Sequence, residues 1–74
     1  MQEKLLLLRK RHNYSQKYLA EILGISVQQY GSKERGHHEF TADEMFILRD
    51  VFGCKLEDIF MPRSHQSGDN MKAM

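Results

Sequence analysis

The chain has 74 residues, 41% of them hydrophobic and 28% charged, with one Pro, one Cys and no Trp; a domain this small rarely buries a core worth more than about 3–5 kcal/mol, which argues against a catalytic cavity within its own walls and for binding on an outer face. A single cysteine excludes an intramolecular disulfide framework and points to a reducing, cytoplasmic setting, and the longest wholly apolar run, Leu5 to Leu8, falls far short of the ~20 residues of a membrane-spanning helix. The net charge of +1 hides a polarity: residues 1–37 carry seven Lys+Arg against three acids, net +4, and residues 38–74 carry four against seven, net −3, so one side of the molecule suits an anionic partner.

Gln2 to His12 is rich in Leu, Lys and Arg, lacks Gly and Pro, and places Leu5, Leu8 and His12 on one helical face. Four consecutive leucines exceed what one inward face can use, so Leu6 and Leu7 are expected partly outside the core. Asn13 and Tyr14 interrupt the pattern, and Ser15 is a cap for a second helix, Gln16 to Leu23, whose inward stripe is Leu19, Ala20 and Leu23. Gly24 ends that helix in the left-handed conformation.

Ser26 opens a third helix, and Gln29 three positions on completes a Ser-x-x-Gln capping box. The helix covers residues 27–35, is stopped by Gly36, and has Tyr30 as its apolar anchor; Gly31 inside it costs roughly 1 kcal/mol relative to Ala unless close approach requires it. Thr41 and Glu44 form a second capping box before a helix from Ala42 to Phe52, closed by Gly53, with Phe46, Ile47 and Val51 again in surplus. A last short helix, Leu56 to Phe60, turns Leu56, Ile59 and Phe60 inward. After Met61 periodicity is lost, and residues 62–74 are expected to form a flexible tail. No stretch alternates apolar and polar residues with β-branched enrichment. The expected fold class is therefore all-α, with five short helices in a domain spanning residues 1–61.

The second and third helices are joined by a glycine-containing turn of about four residues, which is helix-turn-helix spacing. A helix that projects from such a pair can enter a DNA major groove about 12 Å wide. With Tyr30 inward, Gln28 and Ser32 share the outward face and Val27 leads it. Gln bonds bidentately to adenine N6 and N7, Ser meets either kind of groove edge, and Val packs on a thymine methyl.

The segment SQKYLAEILGISVQQYGSKERG, Ser15 to Gly36, resembles the phage-repressor (XRE, Cro-type) helix-turn-helix family, whose pattern runs S-Q-x-x-L-A-x-x-L-G-[IV]-S-x-x-x-[apolar]-x-x-x-E-x-G. Ser15, Gln16, Leu19, Ala20, Leu23, Gly24, Ile25, Ser26, Tyr30, Glu34 and Gly36 match in register, and the likeness extends from Leu5 to Phe60, about 56 of 74 residues. The resemblance implies a compact five-helix, lambda-repressor-like DNA-binding domain in which Gln16 bonds a phosphate and Val27, Gln28 and Ser32 face base edges, with Gln29 as a further contact. Lys17 and Arg35 are the leading phosphate-binding cations; after the third helix, where the family places Lys or Arg, His37 and His38 stand instead, so phosphate affinity there is expected to rise as pH falls. The chain departs from the family at Lys33, usually aromatic or aliphatic, at Arg49, usually small and apolar, and at Lys55, usually a capping Ser.

These features imply a transcriptional regulator that acts as a homodimer on an operator in double-stranded DNA, most simply as a repressor, with a protein partner rather than a small molecule as any regulator. A second reading keeps the fold and assigns its work to protein binding, as in an antitoxin-like or adaptor module using Leu6/Leu7 or Phe46/Val51. Lys4, Arg9, Lys10, Arg11 and Lys17 are each equally consistent with solubility and with phosphate contact. His12, His37, His38 and His65 lack the spacing of a zinc ligand set, Cys54 fits a small buried hydrophobe, and no residues argue for catalysis, a metal or a cofactor.

Overall fold

The chain's structure, a computed structural model, describes residues 1–60; the domain end at Met61 and the tail expected over 62–74 lie outside the described residues. Five helices follow in order: α1 Glu3–Arg11, α2 Gln16–Leu23, α3 Val27–Glu34, α4 Ala42–Phe52 and α5 Leu56–Ile59. No strand occurs among the described residues, and the fold is the all-α one expected.

Each boundary has a local cause. Ser15 caps α2 by accepting a hydrogen bond from the Tyr18 amide. At the other end, Gly24 adopts φ +75°, and its N–H donates to the Glu21 carbonyl while that of Ile25 donates to Ala20, a Schellman closure that satisfies two terminal carbonyls. Both expected capping boxes are formed: Ser26 with Gln29 at α3, and Thr41 with Glu44 at α4. Lys55 stands at the N-cap of α5 without a side-chain cap bond. The α1–α2 turn relies on Asn13 at φ +60°, a left-handed conformation that Asn tolerates better than most residues.

The core is built from Leu5, Leu19, Ala20, Tyr30, Leu48, Phe52, Ile59 and Phe60, so every helix contributes. His12 departs from expectation. It is the C-cap of α1, exposed, with Nδ1 2.9 Å from the Leu8 carbonyl, and its ring meets Phe52 edge-on and stacks on Tyr14. It closes the rim of the core rather than filling it. The leucine surplus resolves as Leu5 buried, Leu6 and Leu8 half-buried and Leu7 60% exposed. On α4, Phe46 and Ile47 are exposed and Val51 is half-buried.

Two of the three polar residues that depart from the family pattern, Lys33 and Arg49, have neighbours that accommodate them. Lys33 donates to both carboxylate oxygens of Glu44, at 2.6 and 2.8 Å, and its ammonium lies 5.9 Å from the centre of the Phe40 ring. Arg49 stays outside the core, with its guanidinium over Phe46. The interior does not lose a packing residue at Lys33 so much as exchange it for an ion pair across α3 and α4.

Candidate nucleic-acid interface

Helix α3 is pinned by one face and leaves the other open. Tyr30, Gly31 and Glu34 are its buried residues. Tyr30 fills the core, and its hydroxyl donates to Glu34 Oε2 at 2.9 Å. Glu34 is only 3% exposed and accepts three more hydrogen bonds: two from Arg9 of α1, at 2.9 and 3.2 Å, and one from the Gln16 side-chain amide of α2, at 2.9 Å. One carboxylate thus ties α1, α2 and α3 together. Burial pushes the Glu34 carboxyl up, but the hydrogen bonds from Arg9, Gln16 and Tyr30 outweigh it and hold it below the usual carboxylate range. Burial pushes the Tyr30 phenol up, and the adjacent Glu34 charge adds to that effect, so the phenol keeps its proton for this bond.

The opposite side of α3 faces solvent. Val27 is 42% exposed and Gln28 and Gln29 are exposed, while Ser32 is half-buried. Gln28, Gln29, Ser32, Lys33, His38 and Glu39 line an open cleft along this side. Three of the four residues expected to read bases, Gln28, Gln29 and Ser32, therefore share this accessible flank, and Val27 is exposed at the N-terminus of the same helix. Gln29 has a second duty, since its Oε1 accepts from the Ser26 amide; its NH₂ group remains the part able to donate elsewhere.

The expected phosphate-contacting residues flank this helix. Gln16 and Lys17 begin α2, Arg35 is the C-cap of α3, and His37 and His38 follow Gly36. Lys17, Arg35, His37 and His38 are exposed. The side chains of Gln16 and Arg35 both reach over Gly31: a Cβ built there would lie 3.2 Å from Arg35 Nη1 and 3.7 Å from Gln16 Oε1. The missing side chain makes room for both, which accounts for a glycine at a helical position where it otherwise weakens the helix.

Two of the basic residues in α1 are otherwise engaged. Arg9 is the partner of Glu34, with a further bond to the Tyr14 carbonyl at 3.1 Å, and Lys4 donates to the Glu57 carbonyl at 3.0 Å. In the sequence, Glu34 is marked only as a matched family position and Arg9 as one of several cations that suit either solubility or phosphate contact. A buried position for an acid one turn after a core tyrosine, Tyr30-x-x-x-Glu34, was the available signal. Among the described residues, no group of three His, Cys, Asp or Glu is arranged to hold a metal, and no helix is long and apolar enough to cross a membrane.

A short pinned helix with an open polar face, following a capped partner helix across a glycine turn, defines a helix-turn-helix domain. The chain belongs to the helix-turn-helix family, which matches residues 5–59. It is 38% identical over 61 residues to an uncharacterized HTH-type transcriptional regulator of Methanocaldococcus jannaschii, covering 82% of this chain and 92% of that one. It is 31% identical over 52 residues to the HTH-type transcriptional regulator AnsR of Bacillus subtilis, covering 70% of this chain but 45% of AnsR. No solved structure matches the chain.

Proposed function

We propose that the protein is a sequence-specific, double-stranded DNA-binding transcriptional regulator that inserts α3 into the major groove and represses by occupying a promoter. The observation that carries this reading is the two-sidedness of α3: Tyr30 and Glu34 are fixed in the core while Val27, Gln28 and Gln29 are left to solvent. In this reading Val27, Gln28, Gln29 and Ser32 meet base edges, and Gln16, Lys17, Arg35, His37 and His38 meet phosphates. Base contacts give preference; phosphate contacts give affinity and salt dependence. The two HTH-type relatives, both named as transcriptional regulators, support the regulatory role.

The protein acts as a homodimer on a two-fold operator, with recognition helices one DNA turn, about 34 Å, apart. Exposed Phe46 and Ile47 on α4, with Leu7 on α1, supply apolar surface for self-association. The same surface is what an antitoxin-like or adaptor role would use. Selection of bound duplexes from a random-sequence pool separates the two: recovery of a palindromic consensus supports the operator reading, and no enrichment at low salt refutes it in favour of protein binding.

A further inference from the structure

Ser32 Oγ lies 2.7 Å from His38 Nδ1, a contact between the outward flank of α3 and the loop beyond Gly36. One proton lies between them. A hydroxyl has one donor and two acceptor positions, a neutral imidazole has one donor and one acceptor nitrogen, and an imidazolium has two donors. The partner that supplies the proton to this contact therefore fixes what Ser32 has left for a third group.

We propose that His38 is a specificity-determining positioning residue, which sets whether Ser32 presents a hydrogen-bond acceptor or a donor to the nucleobase it faces. The inference rests on the reading of α3 as the groove-entering helix. With His38 neutral and its proton on Nε2, the Ser32 hydroxyl donates to Nδ1 and only oxygen lone pairs remain. These suit the amino groups of adenine N6 or cytosine N4. With His38 charged, Nδ1–H donates to Oγ and the hydroxyl proton turns outward. It then suits the acceptors guanine O6, thymine O4 and the N7 of either purine, and cytosine, which presents only its amino group, is disfavoured. Where the neutral ring carries its proton on Nε2, Ser32 thus changes from acceptor to donor toward one base as the ring gains a second proton, which costs cytosine and favours guanine or thymine.

His38 is exposed. The charged and titratable groups around it are Lys33 of α3 and Glu39, which line the same cleft, and His37 next in the chain. Lys33 is bound by the Glu44 carboxylate of α4, so its charge is partly balanced at the cleft. Imidazole is the side chain whose charge ordinarily changes between pH 5 and 8.

The test is selection by the full chain from a random-sequence duplex pool at fixed salt, at about pH 5.5 and about pH 8, the interval over which imidazole changes charge. It uses the parent, His38→Ala and Ser32→Ala. The parent is expected to lose C and gain G or T at one position of its consensus as the pH is lowered. The shift should be about fivefold, the order of one net hydrogen bond, and both variants should lose it, whatever the change in their overall affinity. His38 is exposed and Ser32 half-buried, and unchanged thermal unfolding verifies that the fold is intact. A consensus that is the same at both pH values, or a shift that survives in His38→Ala, overturns this inference and leaves the DNA-binding reading standing. A pool with no enriched sequence at either pH overturns both.

Discussion

Arg9 and Glu34, 25 positions apart in sequence, form a two-point contact: Nε to Oε2 at 2.9 Å and Nη2 to Oε1 at 3.2 Å. Their side chains are 12% and 4% exposed, so the pair joins α1 to the last turn of α3 largely out of water. The position matters because α3 has little apolar surface of its own beyond Tyr30. The carboxylate holds it in place by bonds that have direction, and this fixes which way its outer face points.

Removing the carboxylate strands every donor aimed at it. Glu34→Ala leaves the Arg9 guanidinium, the Tyr30 hydroxyl and the Gln16 amide without their shared acceptor. A buried pair broken on one side costs about 3–5 kcal/mol, a large part of the stability of so small a domain. Tyr30→Phe removes one donor and leaves three, and should cost about 1.5 kcal/mol. Urea unfolding of both variants checks the ranking; equal losses would mean that Arg9 and Gln16 contribute nothing through Glu34.

Acid should unfold the domain through the same groups. The Glu34 and Glu44 carboxyls are both raised by burial but held below the usual carboxylate range by stronger opposing hydrogen bonds, from Arg9, Gln16 and Tyr30 in one case and from Lys33 and Thr41 in the other. A folded-state value below the unfolded one means that the unfolded chain binds more protons as pH drops. Their stabilisation is then complete above the ordinary carboxylate value of about 4.3 and is lost as pH falls through the lower folded values. The expected result is a melting temperature that is level from neutral pH down to about 5 and falls steeply below that. Glu44→Gln should be less stable at neutral pH and show a shallower acid slope. A parent whose melting temperature does not change down to pH 3 would contradict this.

The helix ends were legible because their causes are local. The boundaries of α2 and α4 coincide with those read from Ser15, Gly24, Thr41 and Gly53. At α1 and α3 the differences are one residue, with Gln2, His12 and Arg35 serving as caps outside the helices. The outward face of α3 was legible for a related reason: once Tyr30 is inward, Gln28 must face away from it. Contacts between distant positions were not legible. Arg9 with Glu34, Lys33 with Glu44 and Ser32 with His38 join segments whose relative placement no local periodicity encodes. For that reason Lys33, visible in the sequence only as a departure from an apolar family position, is part of an ion pair between two helices.

Gly31 should separate stability from binding. A Cβ at this position meets only the ends of flexible side chains, Arg35 Nη1 at 3.2 Å and the Gln16 amide beyond it. Gly31→Ala is therefore expected to raise stability by about 0.5–1 kcal/mol through helix propensity. It should also push the Arg35 guanidinium away from Gln16, weakening binding to all DNA sequences alike. Melting curves and salt-dependent DNA titrations measure the two effects; a variant that gains stability and binds as tightly as the parent would show that Gln16 and Arg35 do not act together.

The last prediction separates the two kinds of DNA contact assigned to neighbouring elements. Gln28 stands on the exposed side of α3 and Lys17 in the first turn of α2. If Gln28 reads a base, Gln28→Ala loses about 1–3 kcal/mol on the selected site, relaxes preference at that base, and leaves nonspecific binding nearly unchanged. If Lys17 neutralises a phosphate, Lys17→Ala weakens every sequence alike and lowers the salt slope by about 1. Gel-shift titrations across a salt series on the selected duplex and on a scrambled one read both quantities. The assignment requires the effects to be distinct. Should Gln28→Ala weaken scrambled DNA as much as the selected site, α3 lies along the backbone rather than in the groove. Should Lys17→Ala leave the slope unchanged, the N-terminus of α2 does not touch the phosphates.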